Sequence, residues 1–295
     1  MSVPIVDMRL RPPLPQWTGS DAFKSAMWYA RKGPGFLGAR SAWAESMDEL
    51  IAEMAASGIR YGVIIGRASF GAGALGNFDN AAMIDALEKW PNHFLGFLGM
   101  DLENIPKSIA QVRELAGHKG VKGISIEPGS SKTPRLADDK ALLPIYDLAS
   151  ELKLPVSISL SGLLSALAGH ELSWCSPLPV QRVAFRYPDL PIIVSHASWP
   201  YAAEMVSIAL TCPNIYVSPD VYISTAFMPC AQTYIDAANC YLSERTLWGT
   251  AYPSRGHAEA VRDTNTFNWA PGVLDKAYWH NPARLLNLAL DDRSK

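Results

Sequence analysis

The chain has 295 residues, of which 48% are hydrophobic and 18% charged, and its formal net charge is −2. That is ample material for one large core, with no basic footprint and no lysine- or arginine-rich run of the kind nucleic acid selects. No apolar stretch approaches the ~20 residues that span a bilayer.

Strand-like runs recur at steady intervals, each followed by a helical pattern. The first covers residues 4–8 and continues into Arg9-Leu10-Arg11-Pro12-Pro13. Asp7, Arg9 and Arg11 share a parity, which in a strand sends them to one face. Residues 14–44 form an aromatic- and Gly/Pro-containing insertion, placed as a candidate lid. Ser46-Met47-Asp48-Glu49 is a capping box that opens a helix over 47–57, and Gly58 closes it. Strands are expected over 61–66 and 94–101. Asn104 caps a helix over 105–117 with Pro106 in its first turn. Further strands are expected over 120–127, 155–160, 191–196, 214–220 and 246–250. Residues 162–177 form a second long loop, and Ser198-Trp199-Pro200 starts another helix. Runs such as Val63-Ile64-Ile65 and Ile192-Ile193-Val194 suit buried parallel strands. Eight strands alternating with helices, and no polar linker, predict a single α/β domain over 1–295, a (β/α)8 TIM barrel with an insertion after strand 1.

Functional residues of such barrels lie where strands end at the C-terminal face. That rule selects Arg9, Arg11, Arg67, Glu127, Ser159, Ser161, His196, Asp220 and Tyr252.

The wording of these strand ends resembles the amidohydrolase-related group that includes aminocarboxymuconate-semialdehyde decarboxylase and pyrone-dicarboxylate lactonase. The resemblance covers nearly the whole chain. In that group strand one ends Asp-x-His-x-His; here Asp7 stays and Arg9 and Arg11 stand for the metal-binding histidines. The strand-five histidine is replaced by serine in Pro155-Val156-Ser157-Ile158-Ser159, whereas Ser195-His196-Ala197-Ser198 keeps the strand-six histidine. Trp248-Gly249-Thr250-Ala251-Tyr252-Pro253 matches the strand-eight motif with its aspartate changed to Ala251. Asn281-Pro282-Ala283-Arg284-Leu285-Leu286 approximates the closing motif. The resemblance therefore implies the barrel, in a divergent branch that lacks most metal ligands.

Each candidate has a functional and a structural reading. Arg9 and Arg11, with Arg67, read as a receptor for substrate carboxylate, because planar guanidiniums grip carboxylates bidentately. The competing reading is an internal salt-bridge network with Glu127 and Asp220. His196 suits a general base whose pKa starts near neutrality, with Asp220 or Glu127 as its orienting partner. The alternative makes Glu127, His196 and Asp220 a reorganised site for zinc, manganese or iron, which the neighbouring arginines oppose. Tyr252 and Tyr222 are candidate donors to an oxyanion, or simply close the barrel mouth. Trp17, Trp28 and Trp43 read as an apolar wall or as packing of the insertion. His170, His257 and His280 read as surface or loop residues, and Cys175 has no base motif beside it. No Gly-rich phosphate loop is present.

The function expected is metal-independent hydrolysis of a small carboxylated molecule: a lactone, enol ester or cyclic amide. Decarboxylation or C–C lysis, with or without a reorganised metal site, is the alternative within the enzyme class. A non-catalytic partner subunit of a homologous enzyme is the alternative outside it. No cofactor is expected, with a divalent metal as the competing case. The substrate is a small molecule, with no nucleic acid or membrane partner, and a homo-oligomer or a hetero-oligomer with a homologue is admitted. The chain leads straight into a strand without a signal-like region, and its four cysteines lack paired C-x-x-C spacing. A cytoplasmic location is therefore expected.

Overall fold

The computed structural model describes residues 3–19, 38–68 and 77–289. The sheet has seven parallel strands in sequence order: β1 (Ile5–Leu10), β2 (Ile59–Ile65), β3 (Phe94–Gly99), β4 (Val121–Ile126), β5 (Val156–Ser161), β6 (Ile192–Trp199) and β7 (Ile215–Ser218). Residues 245–252 take the eighth place. Leu247 N–H donates to the Val217 carbonyl at 2.9 Å, and Val217 N–H donates to that of Arg245 at 2.8 Å. On the other edge, Met8 and Arg11 N–H groups donate to the carbonyls of Trp248 and Tyr252, both at 3.0 Å. The ring is thereby closed, although this segment makes isolated bridges rather than the continuous strand expected over 246–250. Closure leaves no sheet edge exposed.

Among the described residues, eight helices of eight or more residues alternate with these strands: α1 (Met47–Ala56), α2 (Asn80–Lys89), α3 (Ile105–Leu115), α4 (Leu143–Leu152), α5 (Leu178–Arg186), α6 (Ala202–Thr211), α7 (Ala231–Cys240) and α8 (His257–Thr264). The capping chemistry works as expected: Ser46 Oγ accepts from Glu49 N–H at 3.2 Å, and Asn104 Oδ1 accepts from Lys107 N–H at 3.3 Å. None of these helices is long and apolar enough to cross a membrane. The helix expected from Ser198 begins instead at Ala202, because β6 runs on to Trp199, which pairs with Ser161 of β5.

Side-chain parity sorts the core into two parts. Ile124, Ile126, Val156, Ile158, Leu160, Ile192 and Val194 pack outward with helix residues such as Ile145, Leu148 and Val180. Val6, Met8, Val63, Ile65, Phe97, Ile193 and Leu247 form a separate cluster that Trp279, Ala283 and Leu286 complete. β1 changes parity midway, where its register to β2 shifts between Asp7 and Leu10. A bulge of this kind re-aims side chains, and here it separates Asp7 from Arg9 and Arg11.

Of the insertion at 14–44, residues 20–37 lie outside the described residues, and Trp28 with them. Its described ends are packed down. Trp17 is buried edge-on against Phe78, with ring centroids 5.0 Å apart, whereas Trp43 is partly exposed.

Candidate active site

Glu127 follows β4 and is the centre of the site. Its Oε1 accepts from Arg9 Nη2 at 2.8 Å and from Arg11 Nη2 at 2.7 Å. Its Oε2 accepts from Arg67 Nε at 2.5 Å. Arg9 and Arg11 reach it from β1, and Arg67 from the end of β2. The β2 end is fixed by a close approach: a Cβ on Gly66 would stand 2.6 Å from the Gly99 backbone nitrogen. Phe78 forms an antiparallel bridge with Arg67 and lies under the guanidinium of Arg11, 4.8 Å from ring centroid to Cζ. Stacking occupies the face of the guanidinium and leaves its edge N–H groups for acceptors.

Asp220 stands on the far side of Arg9. Its Oδ2 lies 3.9 Å from Arg9 Nε, accepts from His196 N–H at 3.0 Å, and lies 3.5 Å from His196 Nδ1. Its Oδ1 accepts from Ser218 Oγ at 2.5 Å. Arg9, Arg11, Arg67, Glu127, His196 and Asp220 therefore converge at one end of the barrel. His196 (φ 62°), Ala197 (46°), Ser198 (56°), Asp220 (53°) and Ala251 (54°) all hold left-handed backbone. Non-glycine residues take that region at a cost and concentrate at functional sites.

The electrostatics follow from burial. Desolvation by itself would raise the Glu127 carboxyl, but Arg67, Arg11 and Arg9 overcome it and hold the group well below the usual range. Desolvation, reinforced by Arg67, pushes the Arg11 guanidinium well down. Burial, then the charge of Arg9, drives the His196 imidazole well below its ordinary value, so it is neutral. The near-neutral base expected from sequence is corrected accordingly. Burial lifts Asp220 to about 6 while Arg9 pulls it down.

Two tyrosines are already engaged. Tyr252 is buried and its hydroxyl shares a 2.9 Å hydrogen bond with Ser41, which also donates to Glu53 at 2.5 Å. It ties the insertion to the barrel rather than offering a free donor. Tyr222 shares a 2.7 Å bond with Ser161 and stacks on Trp199.

Sequence reasoning misplaced His257. It is buried, stacks on Tyr252 at 5.3 Å, and brings Nε2 to 3.3 Å from Asp7 Oδ2. Its place at the first turn after the eighth segment was the available signal, since that turn opens at the barrel mouth. Asp7 also accepts from Arg9 N–H (3.0 Å), Thr250 N–H (2.9 Å) and Thr250 Oγ1 (2.5 Å). His170 is half-buried on the Ser131 carbonyl, and His280 is exposed. Cys175 is buried, its thiol pushed up to about 12, which makes it inert as a nucleophile.

A family model described as amidohydrolase matches residues 7–288. The chain belongs to the amidohydrolase family. No curated protein sequence matches it. Among solved structures, this amidohydrolase-family chain is similar to an uncharacterised TIM-barrel protein from Bordetella bronchiseptica, at 29% identity and a TM-score of 0.86, covering 97% of this chain and 99% of that one. It is similar in fold to 2,6-dihydroxybenzoate decarboxylase from Rhizobium (16% identity, TM-score 0.70, 98% and 99% coverage). It is also similar in fold to 5-carboxyvanillate decarboxylase from Novosphingobium aromaticivorans, complexed with manganese (17% identity, TM-score 0.67, 97% and 96% coverage).

The donor set here does not fit such a metal. Both Glu127 oxygens are taken by guanidiniums, and Arg9 lies between Glu127 and Asp220. A dication placed among them would meet three fixed positive charges. Among the described residues no group of three or more His, Cys, Asp or Glu side chains is disposed to hold a metal ion.

Proposed function

We propose that this chain binds a small carboxylated organic molecule through Arg9 and Arg11, and hydrolyses it without a metal. The bond broken is that of a lactone, enol ester or cyclic amide. One observation carries the reading. Among the described residues the guanidiniums of Arg9 and Arg11 meet Glu127 and Asp220 as their acidic partners, and Arg9 Nε, Arg9 Nη1 and Arg11 Nε have no hydrogen-bond acceptor. Buried cationic donors left unsatisfied are costly, and an entering carboxylate satisfies them.

Substrate charge then arms the base. Arg9 is the strongest charge depressing the His196 imidazole, after burial itself. A bound carboxylate offsets that charge and raises the affinity of His196 for a proton. His196 takes the proton from water as the water adds to the acyl carbon, and Asp220 stabilises the imidazolium. As the adduct collapses, the acyl C–O or C–N bond breaks and His196 returns the proton to the leaving oxygen or nitrogen. Phe78 and the packed ends of the insertion wall the Arg11 side, and the insertion acts as a lid.

The lyase reading draws on the decarboxylases that share the fold, and on Asp220, whose elevated pKa of about 6 lets it hold a proton for a carbanion below that pH. Arginines that hold a carboxylate stabilise it against loss as carbon dioxide, which favours hydrolysis for the group they bind. Two of the four cysteines, none in a disulfide, are buried, which suits the cytoplasm proposed as its location.

The test is a screen of carboxylated lactones, enol esters, cyclic amides and aromatic acids in the presence of chelator, with product identification. Ring or ester opening without release of carbon dioxide supports hydrolysis, and carbon dioxide release supports the lyase. Absence of both turnover and any ligand response would favour the non-catalytic subunit.

A further inference from the structure

β5 presents three serines to the barrel lumen. Ile158 and Leu160, between them, pack outward with the helices, so Ser157, Ser159 and Ser161 face the other way. Ser157 shares a 2.8 Å hydrogen bond with Ser195, and Ser161 is paired with Tyr222. Ser159, in the middle of the row, is 2% exposed and its hydroxyl has no hydrogen-bond partner. Its two flanking members are satisfied, so within β5 the gap lies at Ser159; on β4, Ser125, which pairs with Ser157, also lacks a hydroxyl partner.

The register says what surrounds it. Ser159 pairs with Ser195, one residue before His196. On the other side Ser157 pairs with Ser125 and Ile158 with Ile126, which brings Glu127 alongside Ser159. A buried, unsatisfied hydroxyl thus sits between Glu127 and His196, on the side of the lumen opposite the arginines of β1 and β2. His196 Nδ1 also makes no hydrogen bond. A buried hydroxyl is ordinarily matched, and none of the described residues matches this one.

We infer that Ser159 is a substrate-contacting residue, whose hydroxyl bonds an oxygen of the ligand other than the carboxylate held by the arginines. The substrate class narrows accordingly. It is a carboxylic acid that carries a second oxygen function, hydroxyl, oxo or ring ester, spaced to reach from the arginine pole to the β5–β6 side. This inference rests on the anion-receptor reading above.

Matched acids that differ by one hydroxyl test it: glutarate against 2-hydroxyglutarate, and benzoate against salicylate. Binding is measured by calorimetry, with melting temperatures for the free proteins. The wild type should prefer the hydroxylated member of at least one pair by roughly 3- to 10-fold, the worth of one hydrogen bond. Ser159→Ala should erase that preference, leave the plain acid's affinity unchanged and leave the unliganded melting temperature unchanged. Ser157→Ala and Ser161→Ala, which strand a partner hydroxyl, should lower it. The inference is overturned if the wild type shows no preference in either pair, if Ser159→Ala keeps it, or if Ser159→Ala melts as low as the two controls. If none of the four acids binds the wild type, the anion-receptor reading itself fails.

Discussion

Removing Arg11 leaves Glu127 with two guanidiniums, whereas removing the Glu127 charge leaves three guanidiniums with nothing between them. The two substitutions should therefore behave oppositely. Arg11→Ala relieves repulsion from Arg67 and Arg9, and should cost no more than about 1.5 kcal/mol of stability in urea melts. It should also abolish the rise in melting temperature that small dicarboxylates give the wild type by mass action. Glu127→Gln should cost about 3–5 kcal/mol, as expected when one partner of a buried ionic cluster is lost. Added dicarboxylate should return part of that loss. Equal and large destabilisation by both variants, with no anion response, would make the cluster purely structural. The pH dependence follows from the same groups. Asp220 at about 6 holds a proton that the unfolded chain has released from about pH 4 upward, so its contribution to stability falls as pH rises through that window and is level above 6. His196, held neutral in the fold, works the other way: its contribution is present above about 6.5 and is lost as pH falls below that. Glu127 contributes stability above about 4.5 that is lost as pH falls through its lowered folded value. Asp220→Asn should thus remove the fall between pH 4 and 6. It should also flatten a kcat/KM that in the wild type rises with pH through about 6, because in the proposed hydrolysis ionised Asp220 stabilises the imidazolium.

Elements were legible where one physical rule dominated. The capping residues Ser46 and Asn104 set helix starts to the residue, and buried Val/Ile runs located the strands. Reading failed where backbone geometry overrode side-chain pattern. The shared parity of Asp7, Arg9 and Arg11 holds only for the two arginines, since the bulge in β1 turns Asp7 toward Thr250 and His257. No residue type announces that bulge in a single sequence. The eighth segment is the element where geometry matters most. A Cβ on Gly249 would stand 3.0 Å from Asp220 Oδ1, 3.2 Å from the Arg9 nitrogen and 3.3 Å from Asp7 Oδ1. Gly249 is therefore the spacer between two carboxylates and the β1 backbone. Gly249→Ala should push Asp220 off His196 and reduce turnover of any substrate found by at least about tenfold, the cost of misplacing a catalytic group. Its far-ultraviolet dichroism should stay that of a barrel. Wild-type activity in the alanine variant would show that the spacing is not required.

At the scale of the molecule, the barrel was readable because its evidence is spread over eight repeats, and a misread boundary in one does not disturb the others. The site was readable to the level of which residues meet, since strand ends share one face of the ring. Which charges win there was not readable, because burial and mutual distance decide it, as the neutral His196 and the elevated Asp220 demonstrate. That balance governs the metal question for the protein as a whole. The barrel mouth holds three guanidiniums around Glu127, with Phe78 beneath Arg11. A divalent ion would have to displace these arginines from their carboxylate before finding ligands. The melting temperature should therefore be unchanged by dialysis against chelator, and unchanged by added manganese or zinc at low micromolar concentration, since a ligand that binds the folded state would raise it. Dicarboxylates should raise it equally in chelated and untreated samples. Stoichiometric metal by elemental analysis would reverse the assignment if its removal also lowered the melting temperature and the anion response. Arg9 and Arg11 would then be gates over a metal centre, in place of the receptor proposed here.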